Sequence, residues 1–164
     1  MKKIFTLLLI GILISGCSKN NNDDDGIDCS LFDPAFPELY IRLVDETGAN
    51  LIEKGIIDPE NITVTANFPN PGFRYIPPDK YAEPDADIRK YDNTISLFIA
   101  NKLKFEYTIK LNDTTSIILE VEARFAELPC EVSYFIPTKL EYNNQNIESE
   151  NDESELVFLG EIKI

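Results

Sequence analysis

KFEYTIKLNDTTSIILEVEARFA, residues 104–126, reads as two strands joined by a turn. Phe105, Tyr107, Ile109 and Leu111 recur at every second position, with Lys104, Glu106, Thr108 and Lys110 between them. Successive side chains of a strand point to opposite faces, so this period of two makes one apolar and one polar face. Asn112, Asp113 and Thr114 supply a turn. The alternation then resumes, with Ile117, Leu119, Val121, Ala123 and Phe125 inward and Glu120, Glu122 and Arg124 outward. Lys104 and Lys110 stand where they can pair with Glu120 and Glu122 across the strands.

The same period extends in both directions from this hairpin. Leu39, Ile41 and Leu43 alternate with Tyr40, Arg42 and Val44; Asp45 to Gly48 read as a turn, and Asn50 begins a return strand. Ile62, Val64 and Ala66 mark another strand, and Ile95, Leu97 and Ile99 a further one. Residues 132–142 read as one or two strands broken at Pro137, and residues 156–164 as a final or edge strand. Residues 143–155, polar and acidic, read as a surface loop. A helical period is not sustained over three turns anywhere, although residues 78–91 have room for a short helix. Seven to nine strands with one polar face each predict an all-β fold, an antiparallel β-sandwich. The segment LYIRLVDETGANLI (39–52) followed by NITV (61–64) resembles the first hairpin of transthyretin-like or carboxypeptidase-regulatory-like modules. That resemblance implies an immunoglobulin-like or transthyretin-like sandwich.

The chain opens MKKIFTLLLIGILISGC (1–17). Lys2 and Lys3 precede a short apolar run, residues 4–14, which ends in Ser15, Gly16 and Cys17. The run is too short for a confident membrane span. The stretch resembles a bacterial lipoprotein signal, which implies cleavage before Cys17 and acylation of its thiol. Several acyl chains anchor a protein stably where one does not. The following Ser-Lys, Asn run and acidic run resemble lipoproteins of the Bacteroidota type, which implies an outer-membrane location, on the cell surface or on the periplasmic leaflet. The reading divides the chain into a signal peptide (1–16), a lipidated disordered tether (17–28) and a β-sandwich domain (29–164). Asn21, Asp23, Asp25 and Gly26 look like the front of a calcium-binding EF-hand loop, but the twelfth position, which needs a bidentate Glu, is Phe32.

Charge and composition exclude several chemistries. Fifteen basic and 29 acidic residues give a net charge of −14, and −16 once Lys2 and Lys3 are removed (thirteen against 29). That field repels nucleic acid. There is no His, so no imidazole base, no Ser-His-Asp or Cys-His pair and no His metal ligand can form. Three cysteines, one of them acylated, cannot build a thiolate zinc site, and the scattered glycines make no phosphate-binding loop. No cofactor is expected. Cys29 and Cys130 remain after acylation of Cys17, and an exported protein meets an oxidising compartment, so the two are expected to form a disulfide; the rival reading is two independent buried thiols.

Residues 68–91 break the β rhythm with five prolines, and with Phe68, Phe73, Tyr75, Tyr81 and Tyr91 between basic residues such as Arg74. Prolines stiffen a loop, and preordered aromatics lower the entropic cost of binding. Phe73, Arg74, Tyr75, Tyr81 and Tyr91 are therefore the candidate binding loop; the alternative is a long connection whose aromatics pack on the sandwich. Three functions follow. The first is a non-catalytic envelope lipoprotein that binds or assembles with an envelope protein or glycan. The second is a carboxylate hydrolase using Glu83, Asp85, Asp87 and Asp92. The third is a surface carbohydrate-binding protein in which Tyr81 and Tyr91 stack on sugars.

Overall fold

In the computed structural model, which describes residues 26–151 and 155–164, the period-two segments become two stacked antiparallel-rich sheets, a β-sandwich. The signal-like stretch, Cys17 and the tether through Asp25 lie outside the described residues. All strands described belong to the unit Asp33–Ile164. They are β1 (Glu38–Val44), β2 (Thr63–Ala66), β3 (Phe73–Ile76), β4 (Thr94–Leu97), β5 (Lys104–Lys110), β6 (Ser116–Glu127), β7 (Ser133–Tyr142), β8 (Gln145–Ile147) and β9 (Val157–Lys163). One sheet runs β3-β4-β1-β9 and the other β2-β5-β6-β7-β8. Among the described residues, only β1 and β9 pair in parallel. In the unit that ends at Phe32, the Asp28 carboxylate accepts bonds from the Ser30 amide and hydroxyl.

The central hairpin forms as read. Phe105, Tyr107, Ile109, Leu111, Ile117, Leu119 and Val121 are all buried. Lys104 stands opposite Glu122 and donates to it at 2.7 Å. Lys110 turns instead to Asp113 in its own turn, and Glu120 faces Glu106. Asn112 closes the turn by accepting from the amides of Thr114 and Thr115. Phe125 departs from expectation: it is 48% exposed, because β6 runs on past the buried Ala123 and its last residues are uncovered.

Three further expectations are corrected. Pro137 does not break β7. The register slips between Glu122 and Ala123, which face Lys139 and Pro137, so Thr138 is an extra residue in a bulge that accommodates the missing proline N–H. Residues 143–155 are not wholly loop. Asn143 and Asn144 take φ of 52° and 60°, the conformation of a two-residue hairpin turn, and β8 follows. Beyond it Ser149 bridges Gly160, and the Glu150 amide donates to Leu159 O. The return strand after Gly48 begins at Asn50, which bridges Val44, but goes no further than that single bridge. The Asn50 side chain accepts from the amides of Ile52 and Glu53, Lys54 N–H reaches back to Asn50 O, and Gly55 at φ 67° ends the single turn. With its hairpin return cut to one bridge, β1 pairs along its length with β4 and β9.

The core fills the space between the sheets, from Leu39, Ile41 and Leu43 on one to Tyr107, Leu119 and Leu140 on the other. Sheet β3-β4-β1-β9 is buried on its second face too. All four residues of β4 are buried, as are Tyr40, Val44 and Leu159. Alternation predicts a polar outer face here. The chain between β3 and β4 covers it.

Candidate functional site

The covering segment, residues 77–93, is locked onto itself by Arg89, which sits in the short 3-10 helix Asp87–Tyr91. Its guanidinium donates to Glu83 O (2.8 Å), Ala82 O (2.6 Å) and Asp92 Oδ2 (3.0 Å). The other Asp92 oxygen accepts from the Asp79 amide, and Asp79 in turn accepts from the amides of Tyr81 and Ala82. A second arginine fixes the segment to the sheet. Arg42 on β1 donates to Lys90 O and to Glu150 (2.6 Å), with Glu161 at 3.9 Å. Asn50 donates to Asn93 O. Such a compact loop, packed by its own side chains, is an Ω-loop in character.

The five candidate residues divide. Phe73 and Tyr75 pack against the core, and the Tyr75 hydroxyl donates to Asn93 Oδ1 at 2.7 Å. Burial, with the Asp92 charge second, raises the Tyr75 phenol above its ordinary value. Tyr91 lies 4.6 Å from the ring of Tyr40, and its hydroxyl accepts from the Asn151 amide. At these three positions the aromatics hold the loop down, the packing role foreseen as the alternative. Arg74 is exposed on the outer face, in one cross-strand row with Ser96 and Tyr40. Tyr81 is 97% exposed. Its amide is fixed by Asp79 while its ring is free, an aromatic on an ordered backbone presented to solvent.

Beside the loop lies a cleft of about 770 Å³. Its polar lining is Arg42, Asn50, Glu53, Lys54, Arg89, Asp92, Asn93 and Glu161. Three cations thus meet three carboxylates, and several are already paired: Lys54 with Asp45 at 2.7 Å, Arg89 with Asp92. Positive and negative side chains are thus equal in number along the cleft. Of the carboxylates proposed for hydrolysis, Asp92 is held by Arg89 and the Asp79 amide, whereas Glu83, Asp85 and Asp87 are exposed. No group of three or more His, Cys, Asp or Glu among the described residues could hold a metal ion. Cys29 and Cys130 are both disulfide-bonded, and the structure holds one cysteine pair at disulfide distance. Cys130 and Glu131 occupy the β6–β7 turn with φ of 64° and 59°.

No family model, no curated protein and no solved structure matches this chain.

Sequence reasoning missed Arg42, Asn50, Asn93 and Asn151. Asn151 sits in an acidic run yet is buried, where it accepts from Lys90 Nζ at 3.2 Å. No local pattern marks it. Asn93 has a weak signal: asparagine tolerates the left-handed backbone, and here it takes φ of 55° at the entry to β4.

Proposed function

We propose that this chain is a non-catalytic module of the bacterial cell envelope, anchored at the outer membrane through acylated Cys17, that binds an envelope protein or glycan through residues 77–93 and the adjoining cleft. The observation that carries the binding role is the locked loop: Arg89 and Arg42 spend their donors on ordering it, yet Tyr81 is left fully presented. Preordering removes an entropic penalty that binding otherwise meets. The anchor is supported by the signal-like residues 1–17 and the spacer after them.

Two experiments test the two halves. Metabolic labelling with an alkyne fatty acid should mark the wild type and leave Cys17→Ala unlabelled; labelling of the variant refutes the anchor. Recovery of partners from envelope extracts, run beside a glycan array, should succeed with the wild type and drop at least tenfold with Tyr81→Ala. Tyr81 is so exposed that the substitution leaves thermal stability unchanged. Equal recovery by the variant removes the loop from the binding role.

A further inference from the structure

A second surface lies apart from the residues of that cleft. Phe36, Phe98 and Phe125 are 60%, 55% and 48% exposed. The Phe36 ring meets Tyr134 edge-on at 6.0 Å, and Phe125 meets Phe135 at 5.2 Å. A groove of about 300 Å³ runs among Phe36, Phe98, Tyr134 and Phe135, with Glu38 as its one charged lining residue among the described residues. Scattered exposed apolar residues are ordinary; a contiguous aromatic patch marks an interaction surface.

The patch is fixed in place. A Cβ on Gly72 would stand 2.9 Å from the Phe98 ring, so the ring lies directly on the glycine backbone. The Phe98 amide donates to Gly72 O, and Phe98 O accepts from the buried Tyr107 hydroxyl at 2.8 Å. Phe98 is therefore exposed without being loose.

The course of the chain points to what covers it. The folded unit begins at Asp33, three residues before Phe36. Phe36 lies nineteen positions after Cys17, a span of at most about 68 Å at ~3.6 Å per residue. On the lipoprotein reading, on which this inference rests, a bilayer is always within that reach, at high effective concentration. A lipid interface takes up aromatic rings without demanding a complementary shape. The groove offers no cation for anionic headgroups and the chain as a whole is acidic, so the surface it fits is zwitterionic. We propose that Phe36, Phe98, Phe125, Tyr134 and Phe135 rest the domain on the lipid surface to which its N-terminus is tethered.

The test uses the full lipidated protein in phosphatidylcholine vesicles doped with a diazirine-bearing phosphatidylcholine. Flotation reports the anchor; mass spectrometry of photo-crosslinked peptides reports docking. Crosslinks should appear in the peptides carrying Phe36, Phe98 and Tyr134, at least fivefold above the peptide carrying Tyr81. Phe36→Ser with Phe98→Ser should still float and should lose that enrichment at Tyr134. Wild type that floats but crosslinks only through its acylated N-terminal peptide, or equally at Tyr81, overturns docking and leaves the anchor standing. Protein–protein crosslinks across the patch assign it to a second copy and also overturn the proposal. Failure of the wild type to float overturns both readings.

Discussion

Adding one methyl group at Gly160 should weaken the whole domain. Gly160 lies on β9 opposite Ile41, where the two sheets come close. A Cβ there would stand 2.7 Å from Leu140 Cδ2 and 3.3 Å from Ile147 Cγ2. Carbon atoms rest comfortably at about 3.5–4.0 Å, so Leu140 has to retreat by roughly 1 Å. Leu140 is completely buried on β7, and a close-packed interior has no void to receive it. Overpacking of this kind costs about 1–3 kcal/mol. For a domain of this size, each kcal/mol lowers Tm by roughly 3–5 °C, so Gly160→Ala should melt about 3–15 °C below the wild type by circular dichroism. Trimming the neighbour supplies the control. Leu140→Ala alone should cost about 2–5 kcal/mol through the cavity it leaves. The double variant should be less destabilised than the sum by about 1 kcal/mol or more, since the added methyl then enters that cavity. A wild-type Tm for Gly160→Ala, or strict additivity in the double variant, would falsify the close approach of the sheets at this point.

Tyr107→Phe should lose about 1–3 kcal/mol in denaturant titration, because it strips Phe98 O of its donor; an unchanged midpoint would mean water replaces the hydroxyl. Burial raises the Tyr107 phenol above its ordinary value of 10, and burial together with the Glu38 carboxylate raises Tyr40. Phenols with raised folded-state values contribute stability fully below pH 10 and lose it as the pH climbs beyond, so Tm should fall above pH 10 and less steeply in Tyr107→Phe. Reduction should destabilise the domain, by up to about 4–5 kcal/mol if the disulfide closes a loop of about 100 residues; two alkylatable thiols in denatured, unreduced protein would show that Cys29 and Cys130 are not joined. Arg89→Ala should leave the core intact and make residues 79–92 the first site of limited proteolysis, whereas wild-type resistance would show that the loop holds without its three guanidinium bonds.

What the chain reveals by local pattern is the sheet that uses local pairing. β5, β6 and β7 follow one another and pair in order, so period-two alternation and a turn tripeptide suffice to place them. The sheet β3-β4-β1-β9 joins the mid-chain strands β3 and β4 to β1 and to the distant β9, and β1 beside β9 is a parallel pair that no turn signals. Its outer residues also misled: Tyr40 and Ser96 occupy polar-face positions yet are buried. Alternation reports which face a side chain points to, and says nothing about whether a distant loop lies over that face. The proline-rich stretch was legible as ordered and aromatic; which aromatics it spends on packing was not, because Tyr91 needs Tyr40 from β1 and Tyr75 needs Asn93.

The same reasoning explains why the aromatic end stood out only in three dimensions. Phe36, Phe98 and Tyr134 come from three separate segments that only the fold brings together. Phe98 falls one residue after β4 ends, inside the stretch where the alternation of Ile95, Leu97 and Ile99 reads a longer strand. Its ring is trapped against Gly72 while β6 overruns the opposing sheet far enough to bare Phe125. A strand longer than its cover and a ring seated on a glycine both leave apolar surface in water. Leaving it there weakens solubility unless something covers it, and the nearest apolar body that the lipoprotein reading provides is the membrane itself.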